Sequence, residues 1–211
     1  MTLALLLLAG ALLGVERACY VWIARAPRSF RAWAARPTVA LHGKPVVIVA
    51  KLFYAFKLLQ VSVFLAWCYV HSGSLVPTAP TVVIAMAALV LLAGQALVMS
   101  AFYRLGRVAV FFGDRLGHEV PWCSAFPFSV VPHPQYLGAL LSIWALFVAM
   151  RFPHPDWYLI PAVETVYYAM GAWLEERPLL PPVRPPARTE MGSARHSPRP
   201  ARARRAVRRI P

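Results

Sequence analysis

The apolar positions of this chain gather into five runs, Leu3 to Ala24, Val46 to Val70, Thr81 to Tyr103, Gln135 to Met150 and Trp157 to Leu174. A bilayer-spanning helix needs about 20 predominantly apolar residues, so the pattern predicts an all-α integral membrane bundle of about five spans. Glu16 and Arg17 interrupt the first run, and Thr2 to Val15 has no positively charged stretch ahead of it. A cleaved signal peptide is the alternative there, and one tilted span from Leu3 to Ala24 accounts better for the apolar residues after Arg17. The last two runs are short, and Arg151-Phe152-Pro153-His154-Pro155-Asp156 between them reads as a tight turn closing a C-terminal helical hairpin.

Composition supports the membrane reading: 59% of the 211 residues are hydrophobic, a balance that a water-exposed surface does not carry. The formal net charge of +14 does not point to nucleic acid, because the basic residues lie between apolar runs and in a tail rather than along one face. Arg25, Arg28, Arg31, Arg36 and Lys44 separate runs one and two; Arg104, Arg107 and Arg115 separate three and four; Arg184 to Arg209 fill the tail. The remaining connections carry no excess of positive charge, so five spans put every basic segment in the cytosol and the N-terminus outside. Residues 1–180 are thus expected to form the membrane domain, and residues 181–211, rich in Pro and Arg, a disordered cytosolic tail. The arginines there either hold the tail to anionic headgroups, at about 1 kcal/mol each, or simply fix orientation. Cys19, Cys68 and Cys123 are odd in number and far apart, with no Cys/His grouping at metal spacing, so free thiols and no metal are expected. The spans leave no room for a separate soluble cofactor domain, so any cofactor must bind among the helices and their loops.

In the five-span topology three segments meet at the cytosolic face: the loop Gly106 to Gly117, the stretch from Phe126 to Gly138, and the pair Glu175-Glu176. The acidic pair stands at a helix C-terminus, where the macrodipole disfavours each anion by about 0.3–1 kcal/mol. That is either a solvated helix end or a carboxylate site for a ligand's hydroxyl or ammonium groups. His133 precedes a proline at the mouth of the fourth span, and Tyr136 lies in that helix's first turn, as a site residue or as an interfacial aromatic. Gly113 to Gly117 is a turn or an anion nest, and Leu92-Ala93-Gly94 reads as a helix-packing notch. Lys57 lies too deep to snorkel, so it meets a ligand's anion or pairs with Glu16 or Glu164.

The segments Ser100 to Gly106, Phe112-Gly113-Asp114, Leu116-Gly117, Phe126-Pro127-Phe128, Pro134 to Gly138 and Leu174-Glu175-Glu176 with Pro178 occur in this order over roughly residues 92–178. In order and spacing they resemble the phosphatidylethanolamine N-methyltransferases; the first three-sevenths of the chain does so only loosely. The resemblance implies S-adenosyl-L-methionine as cofactor, held by a G-x-G in the third span and by the acidic pair. The pair carries over onto Glu175 and Glu176; the G-x-G falls on Leu92, Ala93 and Gly94, with leucine in place of the leading glycine.

The activity expected from this resemblance is N-methylation of phosphatidylethanolamine or its mono- and dimethylated forms toward phosphatidylcholine, in a lipid-accessible crevice. Alignment and a neutral, desolvated amine would supply most of the rate. His133, Asp114 or a glutamate of the pair would take the ammonium proton. Tyr103, Phe126, Phe128 and Tyr136 either hold the methylated cation or anchor the interface. The segment from His133 to Tyr136 is also similar to the isoprenylcysteine carboxyl methyltransferases, an alternative activity; a non-catalytic scaffold or transporter is another, though the chain lacks matching broken helices. The endoplasmic reticulum membrane is the expected location, with a mitochondrial membrane as the alternative; the N-terminus is not an Arg/Ser-rich transit sequence.

Overall fold

The structure, a computed structural model, describes residues 2–120 and 123–176. All regular structure among them is helical: α1 Thr2–Arg25, α2 Pro27–Ala34, α3 Pro37–Ala40, α4 Pro45–Ser72, α5 Thr81–Val110, α6 Pro134–Arg151 and α7 Leu159–Glu176. The five apolar runs coincide with α1, α4, α5, α6 and α7. Of these, α1, α4 and α5 are long and apolar enough to cross a membrane. The hairpin helices α6 and α7 have 18 residues each, about 27 Å at 1.5 Å per residue, slightly short of a ~30 Å hydrocarbon layer. The tail at 181–211 lies outside the described residues.

Local chemistry sets the helix starts. Pro27, Pro37, Pro45 and Pro134 each stand at or near the first helical position, where a missing N–H costs nothing and the fixed φ favours the helix. The basic stretch after α1, expected as a plain connection, folds instead into α2 and α3. Phe30 and Ala34 of α2 are buried, and Phe30 and Trp33 pack with Trp22 of α1. The loop expected from Gly106 begins later: the backbone breaks there at φ 71° and a helical turn then runs to Val110. A positive φ is a conformation that glycine adopts without steric cost.

α1 runs unbroken through Glu16 and Arg17, both of them 4% exposed. It packs into the bundle, where the Tyr167 hydroxyl of α7 donates to the Gly10 carbonyl at 2.8 Å. α5 and α6 make the closest helix pair, crossing at Gly94 and Gly138, where a Cβ built on Gly94 would stand 2.6 Å from the Gly138 carbonyl oxygen. The turn between α6 and α7 closes on a buried ion pair, Arg151 Nη2 to Asp156 Oδ1 at 2.6 Å, with Trp67 Nε1 donating to Asp156 Oδ2 at 3.0 Å. These bonds and the Arg151 charge outweigh the burial that pushes the other way, holding the Asp156 carboxyl below its ordinary range.

Candidate functional site

Charge inside a bilayer is expensive unless it is paired, and this bundle gathers Glu16, Arg17, Lys57 and Glu164 in its apolar interior. Lys57 of α4 pairs with Glu16 of α1 at 3.2 Å. It also donates to Gln60 Oε1 at 2.9 Å, and Gln60 Nε2 donates to Glu164 of α7 at 2.6 Å. Three helices are thereby joined through one polar chain. Arg17 lies over the ring of Tyr168, 3.7 Å from its centroid, but its Nε and Nη2 have no hydrogen-bond partner.

Glu16, Arg17, Lys57 and Gln60 line a cleft of about 510 Å³; Gln95, Gln135 and Ser142 add polar groups to it, and the rest of its wall is apolar and aromatic side chains of α1, α4, α5, α6 and α7. A second chamber of about 240 Å³ adjoins it at Tyr20, Phe53, Gln135 and Tyr136, residues that line both. The chamber sits where α1 and α5 end and α4 and α6 begin, and Asp114, Arg115, Phe128 and His133 face into it. Its inner wall is built of rings: Phe53 packs on Phe111 at 5.4 Å, and Tyr20 on Phe112 at 5.7 Å. His133 stacks on Tyr136 at 5.6 Å between centroids with a 15° interplanar angle. The N-terminus of α6 therefore presents the two rings together.

Of the residues marked out in the sequence, Asp114, His133 and Tyr136 come together at this chamber. Asp114 is exposed, with Arg115 Nε 3.3 Å away. Gly171 and Leu174, at the last turn before the acidic pair, stand beside Tyr136, Arg17 and Arg25. Glu175 and Glu176 close α7 at this same end of the bundle; their side chains lie outside what is described. Leu92 and Ala93 are not brought to the site, since Leu92 is exposed on the outer face of α5 and Ala93 is exposed beside it. Gly94 is buried against α6. Phe128 and Tyr136 face the chamber, whereas Tyr103 and Phe126 are exposed beside a groove on the outside of α5. Lys57 takes Glu16 as its partner.

Sequence reasoning passed over Arg17, Tyr20, Gln60 and Tyr168. The legible signal was an acid and a base in the middle of an apolar run, which a lipid-facing helix does not tolerate. Cys19, Cys68 and Cys123 are free thiols. Among the described residues no group of three or more His, Cys, Asp or Glu side chains stands at metal-binding distance.

The ring faces that line the chamber can attract a cation. Residues 82–181 match the phospholipid methyltransferase family model. The phosphatidyl-N-methylethanolamine N-methyltransferase of Arabidopsis thaliana is 38% identical over 61 residues, 29% of this chain and 37% of that protein. The enzyme of the same name in Schizosaccharomyces pombe is 38% identical over 68 residues, 32% of this chain and 34% of that protein. The chain thus spans about a third of the length of these curated relatives. No solved structure matches it.

Proposed function

From the premise that this chain carries a phospholipid methyltransferase domain over residues 82–181, we propose that it is a membrane-embedded enzyme that uses S-adenosyl-L-methionine to N-methylate the amine headgroup of a phospholipid. The observation that carries the reading is the join of the two cavities at Tyr20, Phe53, Gln135 and Tyr136. An aromatic chamber at the bundle's end suits the cofactor, and a cleft running into the apolar bundle suits a lipid. The substrate class is phosphatidylethanolamine and its mono- and dimethylated forms, and the names of both relatives make the monomethylated lipid the first to test.

The cofactor supplies an electrophilic methyl group on a sulfonium; the chain must supply alignment, dryness and a place for one proton. His133, on the Tyr136 ring at the chamber wall, takes the ammonium proton, directly or through water, with Asp114 as the other acceptor at hand. The neutral amine so formed would be the nucleophile to which the bound cofactor could give its methyl group, the proton staying on the side chain that took it. Tyr136 and Tyr20 would offer ring faces to the cofactor's cation, and Tyr136 with Glu175 and Glu176 would hold its polar groups. The chamber faces the cytosol, and the endoplasmic reticulum is the membrane proposed.

Purified protein is given labelled S-adenosyl-L-methionine with mixed micelles of phosphatidyl-N-methylethanolamine. Label recovered in extracted lipid is the expected result. Label in an isoprenylated cysteine acceptor and none in lipid would replace this reading with carboxyl methylation. His133→Asn should lower kcat by about 10²-fold or more with cofactor Kd unchanged.

A further inference from the structure

We propose that Arg17 binds the phosphate of the phospholipid substrate deep in the cleft, the lipid arriving sideways between α4 and α5. The proposal rests on the methyl-transfer reading above and assigns the recognition group for its lipid. Arg17 lies eight residues before the end of α1, about 12 Å along the axis, and is 4% exposed. Stacking on Tyr168 at 3.7 Å occupies the face of the guanidinium. Of its in-plane N–H groups, those of Nε and Nη2 have no hydrogen-bond partner.

The nearby acids are engaged elsewhere: Glu16 holds Lys57 at 3.2 Å, and Glu164 accepts from Gln60 at 2.6 Å. A guanidinium in an apolar interior without an acceptor is costly, so the cleft is built for an oxyanion that the protein does not supply. Planar guanidinium forks match phosphate oxygens in pairs, which is why arginine suits this ligand.

The shape of the cleft selects the source of that oxyanion. α4 and α5 are not among the well-packed helix pairs, and the rings of Phe53 and Phe102 meet between them at 6.0 Å between centroids. The cleft lies between them, with Tyr54 and Val61 of α4 and Leu91 and Met99 of α5 on its rim. Three of these four, Tyr54, Val61 and Met99, are exposed to the surroundings of the bundle. An apolar lateral mouth with a buried cation behind it whose Nε and Nη2 lack acceptors matches a molecule with acyl chains next to a phosphate. The same guanidinium would also accept the carboxylate of the cofactor's amino-acid part, but that source does not explain the mouth. Glu16 and Glu164 balance Arg17 and Lys57 in formal charge, so a zwitterionic headgroup enters without adding net charge.

The full chain in detergent is titrated with tritiated phosphatidylethanolamine in competition with diacylglycerol, which has the chains but no phosphate. KM for phosphatidyl-N-methylethanolamine and cofactor Kd are measured alongside, on wild type, Arg17→Gln and Arg17→Lys, each checked by a thermal melt. We expect wild type to prefer the phospholipid. Arg17→Gln should lose that preference and raise KM about tenfold or more, with cofactor Kd unchanged, and Arg17→Lys should fall between. If Arg17→Gln does not fold, Arg17→Lys alone decides, by a raised KM. Unchanged lipid preference and KM overturn the proposal, as does a rise in cofactor Kd in their place, which would give the oxyanion to the cofactor. An enzyme that discriminates phosphate through Arg17 but methylates no lipid would sink the activity and leave this site standing.

Discussion

Gly94→Ala separates the two roles that Gly94 has in the sequence, helix packing and cofactor binding. An added Cβ would lie 2.6 Å from the Gly138 carbonyl oxygen, 2.7 Å from Ser142 Oγ and 3.1 Å from Leu141 Cβ. Two of these contacts are closer than non-bonded carbon tolerates, and the nearest is backbone, so the α5–α6 crossing must open. Overpacking of this kind costs about 1–3 kcal/mol. Ser142 is the hinge of the local bonding, since it accepts from Gln95 and donates to Gly138 at 2.8 Å each. Displacing α6 also moves Tyr136 and His133 at its start, so activity falls along with stability. The assay pairs a thermal melt in detergent, where each kcal/mol shifts Tm by about 2–4 °C at this size, with cofactor titration of the protein that remains folded. Leu92→Ala is the control: its side chain is exposed on the outer face of α5, and it should change stability by no more than about 0.5 kcal/mol. An unchanged melt for Gly94→Ala combined with a large loss of cofactor affinity would refute the packing account and return Gly94 to the cofactor.

Glu175→Gln and Glu176→Gln, made singly, should raise cofactor Kd roughly ten- to hundredfold for the more important of the two. Stability should hold or rise slightly, because the change relieves repulsion at a helix C-terminus; titration and a cofactor-free melt check both. Asp156 is held below the ordinary carboxyl range, so its contribution to stability is full above the unfolded carboxyl pKa near 4 and is lost as pH falls through the folded value. Asp156→Asn should abolish that acid-side loss in melts between about pH 6 and 3 and, by leaving Arg151 buried and unpaired, cost about 3–5 kcal/mol at neutral pH. Tags at the two termini, probed by protease in sealed microsomes, should show the N-terminal tag protected and the C-terminal tag cleaved.

The sequence alone determined where the membrane helices run. Apolar length is a local property, and so are the proline starts at Pro45 and Pro134 and the turn at Arg151 to Asp156. It also brought His133, Tyr136 and the end of α7 to one end of the bundle, because the second helix of a hairpin returns to where the first began. The choice of partner for each buried charge was decided only in three dimensions. Lys57 had two acids within the spans to choose from, and the angular position of α1 against α4 selected Glu16. Arg17 stands next to Glu16 in the chain and lines the same cleft, yet successive helical residues point about 100° apart, so it lies over the Tyr168 ring and stays out of the chain that links Glu16, Lys57, Gln60 and Glu164. The same rotation turned Leu92 and Ala93 away from the bundle while Gly94 faced α6. A linear motif records which residues are present; helix rotation and the crossing of neighbours decide which of them share a cavity.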